Sequence, residues 1–134
     1  MNELAWEVTL RDSHENVLQR VIAALKDEGF GVLTRIDAHQ VFKQKLDKDI
    51  DPYTILGACN PPLAFRALSS RGDAGLMLPC NVVVEATGDG GTLVRIANPA
   101  AMMQAGGLAG DAVLQEVGDE AGARLKRVVK SLAA

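Results

Sequence analysis

The chain has 134 residues, of which 48% are hydrophobic and 23% are charged, and its formal net charge is −3. A chain of this size and composition can bury a core of its own, so we expect one folded domain over residues 1–134 rather than intrinsic disorder. The acidic balance, with no concentrated basic face, argues against nucleic acid as a partner.

The N-terminal segment has neither the basic region nor the long apolar run of a secretory signal. No stretch of the chain reaches the ~18 apolar residues that a membrane-spanning helix needs. We therefore expect no membrane association and a cytoplasmic location, where cysteines stay reduced.

The first elements are a strand and an amphipathic helix. Strict alternation of apolar and polar residues predicts a strand over residues 4–10. An apolar stripe then predicts a helix that starts at Asp12 or Ser13 and that Gly29 ends. Glu15 is placed to form a capping box with Asp12.

Two further strands flank a short helix in the middle of the chain. We predict a strand over residues 30–36, then a helix over residues 38–46 that buries Val41, Phe42 and Leu46. The next strand, over residues 53–58, is dense in apolar side chains and is therefore expected in the interior of a sheet.

The second half of the chain begins with a strong helix signal, because Asn60 is a good N-cap and Pro61 suits the first helical position. Strands over residues 81–86 and 92–97 flank a Gly-rich hairpin turn. Asn98 starts a short helical piece, and Asp111 starts a long final helix. This order predicts an α+β fold, with helices on one face of a mostly antiparallel sheet.

Both cysteines are followed by asparagine, and these two dipeptides are the pattern most suited to chemistry. Cys59 ends a predicted strand just before the N-cap Asn60, where a helix dipole favours a thiolate and lowers its pKa. Cys80 and Asn81 open the next long strand. The alternative is that both cysteines are small buried side chains with a structural role.

If these two strands are neighbours, both thiols lie near one end of the sheet. They would then suit a soft metal, Cu(I) or Zn(II), or a switchable dithiol. Methionines 77, 102 and 103 could add soft ligands, although methionines at such spacings usually fill a core.

An acid–base or metal role for Asp37 and His39 depends on whether Cys59 folds near them. The common hydrolase, metalloprotease, dinucleotide-binding and Cys-x-x-Cys signatures do not occur in the sequence. Whether the protein is an enzyme therefore stays open.

Several segments resemble one prokaryotic family. They are residues 29–37, 45–46, 53–64 and 75–84, and they include both Cys-Asn dipeptides. Together they resemble the family named domain of unknown function 302, over nearly the whole chain. The resemblance implies a β-α-β(4)-α arrangement of the TATA-box-binding-protein-like type and a homodimer. It implies neither DNA binding nor any reaction.

Two hypotheses of function follow. In the first, a soft metal or a thiol-reactive small ligand binds at Cys59 and Cys80, with Asn60 and Asn81 supporting the site. In the second, the protein is a non-catalytic ligand-binding or interaction module with an apolar pocket between the sheet and the last helix, and its cysteines are structural. Small residues on the final helix and exposed sheet edges again indicate a homodimer.

Overall fold

The structure is a computed structural model that describes residues 4–134. Residues 1–3, on which the expectation about a secretory signal partly depends, lie outside the described residues. The strands and helices, in chain order, are β1 (Ala5–Leu10), α1 (His14–Asp27), β2 (Gly31–Asp37), α2 (Ala38–Leu46), β3 (Tyr53–Cys59), α3 (Pro61–Ser70), β4 (Cys80–Ala86), β5 (Thr92–Ala97), α4 (Pro99–Met102) and α5 (Ala112–Ala133). Two short 3-10 segments, Gly72–Met77 and Gly106–Gly110, lie between them.

The strands form one antiparallel sheet in the order β1-β5-β4-β3-β2. The predicted α+β class is confirmed, and β3 lies between β4 and β2, as its apolar composition indicates. Because β3 and β4 are neighbours, the two cysteine segments meet at one end of the sheet.

Helices α1 and α5 cover one face of the sheet, and the core lies between them and the strands. Fully buried strand side chains point into this layer, among them Leu56, Val82 and Ile96. On the other face Arg95 forms ion pairs with Glu7 and Glu85. That face therefore carries charged side chains, in keeping with the alternation along β4 and β5.

Helix α1 starts as the sequence indicates, but without the expected capping box. Ser13 is the N-cap, and its hydroxyl accepts a hydrogen bond from the Asn16 N–H at 3.2 Å. Asp12 accepts from the Ser13 N–H at 2.8 Å and from the Asn16 side chain at 3.0 Å. The residue that pairs with Asp12 is therefore Asn16, in place of the expected Glu15.

Helix α2 has the predicted bounds, but the prediction that it buries its apolar side chains is wrong. Val41, Phe42 and Leu46 are 41%, 39% and 63% exposed. The helix follows the edge strand β2 directly, while α1 and α5 already cover the helical face of the sheet. No buried layer is left for α2 to pack into.

The small residues of α5 serve packing within the chain. A Cβ atom on Gly118 would lie 3.2 Å from the Cα of Ala100 in α4, and one on Gly122 would lie 3.7 Å from the Trp6 side chain. Gly118, Ala121 and Gly122 are all buried by neighbouring parts of the same chain. They therefore give no support to a dimer contact through this helix.

Candidate functional site

Cys59 and Cys80 lie at the same end of the sheet on neighbouring strands. Ala58 of β3 is the register partner of Cys80 in β4, so Cys59 is one residue beyond that pair. Both thiols are free and partly buried. The sequence suggested this proximity only on condition that the strands were neighbours, and the register meets that condition.

The segment after Cys59 folds as its sequence predicts. The side-chain oxygen of Asn60 accepts a hydrogen bond from the Leu63 N–H at 3.2 Å, and the backbone carbonyl of Asn60 accepts one from the Ala64 N–H at 2.9 Å. Pro61 occupies the first turn, where a missing N–H costs nothing. The first-turn amides thus bind Asn60, and α3 is fixed at the end of β3.

The segment before Cys80 is held by a close approach at Gly57. A Cβ atom on Gly57 would lie 2.7 Å from the Pro79 ring and would also overlap the Thr34 hydroxyl. Only glycine leaves room for both side chains. Asn81, the register partner of Gly57, is exposed on the strand. Its supporting role at the cysteines therefore stays a prediction.

A largely apolar cavity of about 310 Å³ opens beside the two cysteines. It lies between the adjoining ends of β3 and β4, helices α3 and α4, and the side of α5 that carries Val117, Gly118 and Ala121. Leu33 and Leu68 line it too and are 67% and 48% exposed, so they mark its opening to solvent.

Every sulfur-bearing side chain of residues 4–134 lines this one cavity. The five side chains are Cys59, Met77, Cys80, Met102 and Met103. Met103 is only 2% exposed, whereas Met77 and Met102 are half-buried. The sequence allows these methionines as soft ligands but favours a role as core filler. The one available signal was that Met77 stands three residues before Cys80.

The electrostatics of the cavity disfavour thiolates. Burial, with a smaller contribution from nearby Cys59, raises the pKa of Cys80 to about 11. Burial also raises the pKa of Cys59, which is opposite to the expected direction. The helix N-terminus does not reverse this because its amides face Asn60. Both thiols are therefore neutral at physiological pH.

Among residues 4–134, no ionisable side chain other than these thiols lines the cavity. Within residues 4–134, no group of three or more His, Cys, Asp or Glu side chains is arranged to hold a metal ion. Met thioethers are outside that set, so the candidate soft ligands are the five sulfur atoms alone.

Asp37 and His39 do not join the cysteines, and the suggestion that they act together with Cys59 is wrong. Asp37 is the register partner of Thr54, at the opposite end of β3 from Cys59. Cys59 is five positions further along β3 than Thr54, which corresponds to about 17 Å. The two sets of side chains are thus at different ends of the same strands.

Asp37 and His39 belong instead to a polar cluster around the buried Thr54. The Thr54 hydroxyl donates to Asp37 at 2.8 Å and lies 3.1 Å from Nε2 of His14. Nδ1 of His39 accepts from the Tyr53 N–H at 3.0 Å, and the two histidine rings are 6.0 Å apart. Sequence reasoning missed Thr54 and His14, because their contacts span 17 and 40 residues.

The helices of residues 4–134 include none that is long and apolar enough to cross a membrane.

No match is found among curated proteins. The chain is similar in structure to an uncharacterized conserved DUF302 protein from Bacillus stearothermophilus, known from its crystal structure. The TM-score is 0.85 and the identity 27%, over 98% of this chain and 99% of that chain. The family model described as "Domain of unknown function DUF302" matches residues 6–132. This chain therefore belongs to the family of domain of unknown function 302.

Proposed function

We propose that this protein is a binding module whose cavity takes a compact, uncharged, largely apolar small molecule. The observation that carries the proposal is the cavity of about 310 Å³ between the sheet and the last helices. Ligand pockets are commonly apolar and start at about this volume. Leu33 and Leu68 at the opening provide an apolar entry.

The lining favours binding over acid–base catalysis. Its only ionisable groups, within the part of the chain that the structure describes, are two thiols whose pKa values are raised by burial. A charged ligand would leave its charge without a partner inside an apolar cavity, at a large cost. The polar Asn60 on the wall already accepts a hydrogen bond from the Leu63 N–H.

The experiment is a titration of the protein with decalin, a saturated hydrocarbon with two fused rings, followed by NMR. The variant Ala64→Phe fills the cavity from α3, and Ala123→Phe is the matched control because Ala123 is exposed on α5 and lies off the lining. We expect saturable shifts in the unmodified protein and in Ala123→Phe, and none in Ala64→Phe. Equal binding of decalin by both variants contradicts the proposal, and so does the absence of saturable binding both by decalin and by naphthalene, its aromatic counterpart.

A second candidate ligand is a soft metal ion at Cys59 and Cys80, Cu(I) in preference to Zn(II). The convergence of five sulfur atoms on one cavity favours it, because thiolates and thioethers are ligands that Cu(I) prefers. Zn(II) sites usually have four thiolate, imidazole or carboxylate ligands, and among residues 4–134 only Cys59 and Cys80 on the cavity wall are of these types.

Metal binding at this site must release the thiol protons, so affinity should rise with pH. We expect one equivalent of Cu(I) per chain, protection of both cysteines from alkylation, and loss of binding in Cys59→Ser and Cys80→Ser. If Cu(I) binds but both Ser variants retain it, the site lies elsewhere.

We also propose that the protein forms a homodimer. The support is a set of large apolar side chains left exposed outside the core, among them Phe65 and Leu76 at 74% and 82%. Large apolar side chains exposed to this degree are candidates for burial against a second copy of the chain. Light scattering at tens of micromolar should give twice the chain mass, and a monomer mass contradicts the proposal.

A cytoplasmic location is part of the same proposal. Both cysteines are free thiols, which suits a reducing compartment. Cell fractionation of the tagged protein tests this, and recovery from an extracytoplasmic fraction would count against it.

A further inference from the structure

We infer that the natural guest of this cavity, meaning its bound ligand, is an aromatic molecule of about two fused rings that sulfur atoms contact on several sides. The inference rests on the proposed small-molecule binding and names the class of ligand. Its basis is the size of the cavity and the unusual chemistry of its wall.

The volume sets the size of the guest. An engineered cavity of about 150 Å³ in another protein holds one benzene ring. The cavity here, at about 310 Å³, has about twice that volume. Two fused six-membered rings therefore match the space, whereas a single ring leaves part of the wall without contact.

The wall is rich in sulfur and poor in rings. Five sulfur side chains line it, and Phe30 is the one aromatic residue among the lining residues. Sulfur in contact with an aromatic ring strengthens binding by roughly two- to tenfold per contact. A saturated hydrocarbon fills the same space without that gain, so this wall discriminates between guests of equal size.

The sulfur atoms are spread over four segments of the chain. Cys59 comes from β3, Cys80 from β4, and Met77 from the 3-10 segment before β4. Met102 belongs to α4, and Met103 is the C-cap residue of that helix and lies beside Gly118 of α5. A flat guest between these segments meets sulfur on more than one edge or face.

The thiols fit an uncharged aromatic guest. Neutral S–H groups are weak donors that can point at the face of a ring. A thiolate would instead repel the negative face of the ring. The polar wall atom of Asn60 already holds the start of α3, so no wall group demands a charged guest.

The test compares naphthalene with decalin, which has the same ten carbon atoms but no aromatic face. Each affinity is divided by the partition coefficient of that guest between water and cyclohexane, which removes the difference in hydrophobicity. Binding is followed through the backbone amide NMR signals of Leu63, Ala64 and Val117, which line the cavity in the unmodified protein and in the methionine variant alike. The variant Met77→Leu/Met102→Leu/Met103→Leu keeps the cavity apolar and of similar volume.

We expect naphthalene to be favoured by about tenfold or more after this correction, as for two or more sulfur contacts. In the triple variant the preference should fall to about threefold or less, while decalin still binds. Equal corrected affinities, or a preference that the triple variant retains in full, overturn the aromatic inference and leave the binding module standing. Failure of both guests to bind overturns both.

Discussion

Gly118 of α5 lies against Pro99 of α4, so closely that a Cβ atom on Gly118 would be 3.3 Å from the Pro99 carbonyl oxygen. The Cα of Ala100 would be 3.2 Å away. Both neighbours are backbone atoms, which cannot move aside without shifting α4. This contact fixes the crossing of the two helices beside the cavity.

Two glycines in α5 should therefore respond to alanine in opposite directions. Gly118→Ala should lower the free energy of unfolding by about 1–2 kcal/mol, because the clash with α4 outweighs the better helix propensity of alanine. Gly122→Ala is the matched control, since its Cβ would be 3.7 Å from Trp6, an ordinary contact. It should raise that free energy by about 0.5–1 kcal/mol. Urea unfolding measures both, and a stabilised Gly118→Ala contradicts the packing argument.

Thr54→Val should cost about 1–3 kcal/mol of unfolding free energy, although it conserves volume. The variant removes a buried hydroxyl that donates to Asp37 and bonds His14. Burial acts to raise the pKa of Asp37, but hydrogen bonds from Thr54 and Arg35 outweigh it and lower that pKa. The variant should therefore raise the pKa of Asp37.

The acid dependence of stability follows from this direction. A carboxyl group with a lowered pKa stabilises the fold above about pH 4, and this stability is lost as the pH falls through the folded-state pKa. Thr54→Val should lose less stability than the unmodified protein between pH 4 and pH 2. If the urea midpoints of the two proteins fall by the same amount between pH 4 and pH 2, the role assigned to Thr54 is ruled out.

His14 should titrate below the ordinary histidine range. Burial, followed by the nearby ring of His39, lowers its pKa. The folded state then binds fewer protons than the unfolded chain, so stability falls as the pH drops below about 6.5. In His39→Gln the pKa of His14, followed by NMR of the ring protons, should rise but stay below the ordinary value, because burial remains. An unchanged pKa would show that the two rings are not coupled.

The Cys80 thiol should make the protein sensitive to alkali. Its pKa of about 11 lies above its ordinary value of 9.0, so the folded state holds a proton that the unfolded chain releases. Stability is therefore complete below about pH 9 and is lost as the pH rises towards 11, by about 2–3 kcal/mol. The free energy of unfolding is measured for the unmodified protein and for Cys80→Ala at pH 8 and at pH 10.5. Because lysines and tyrosines titrate in both proteins, the difference between the two free energies isolates the effect of Cys80. An equal loss in both proteins contradicts it.

Much of the fold could be predicted from the sequence because its signals are local. Asn60 and Pro61 start α3, and Asp111 caps α5 with a hydrogen bond from the Leu114 N–H at 3.0 Å. The strand alternation and the Gly-rich turn between β4 and β5 depend on neighbouring residues alone. Such patterns are visible without knowledge of the tertiary structure.

The site was harder to predict because burial and register are properties of the whole fold. The apolar stripe of α2 indicates a buried helix, yet no layer remains to bury it. Asp37 and Cys59 lie on paired strands, but the antiparallel register places them at opposite ends. The methionines that line the cavity come from segments whose meeting no local pattern reveals.

Because the sulfur atoms of residues 4–134 all line one cavity, oxidation of any of them would change that cavity. Oxidation of Met77 or Met102, both half-buried, would turn a thioether into a polar sulfoxide. One oxygen atom added there would make an apolar wall hydrophilic. A guest that fills the cavity would shield those same atoms, so occupancy and resistance to oxidative damage would rise together.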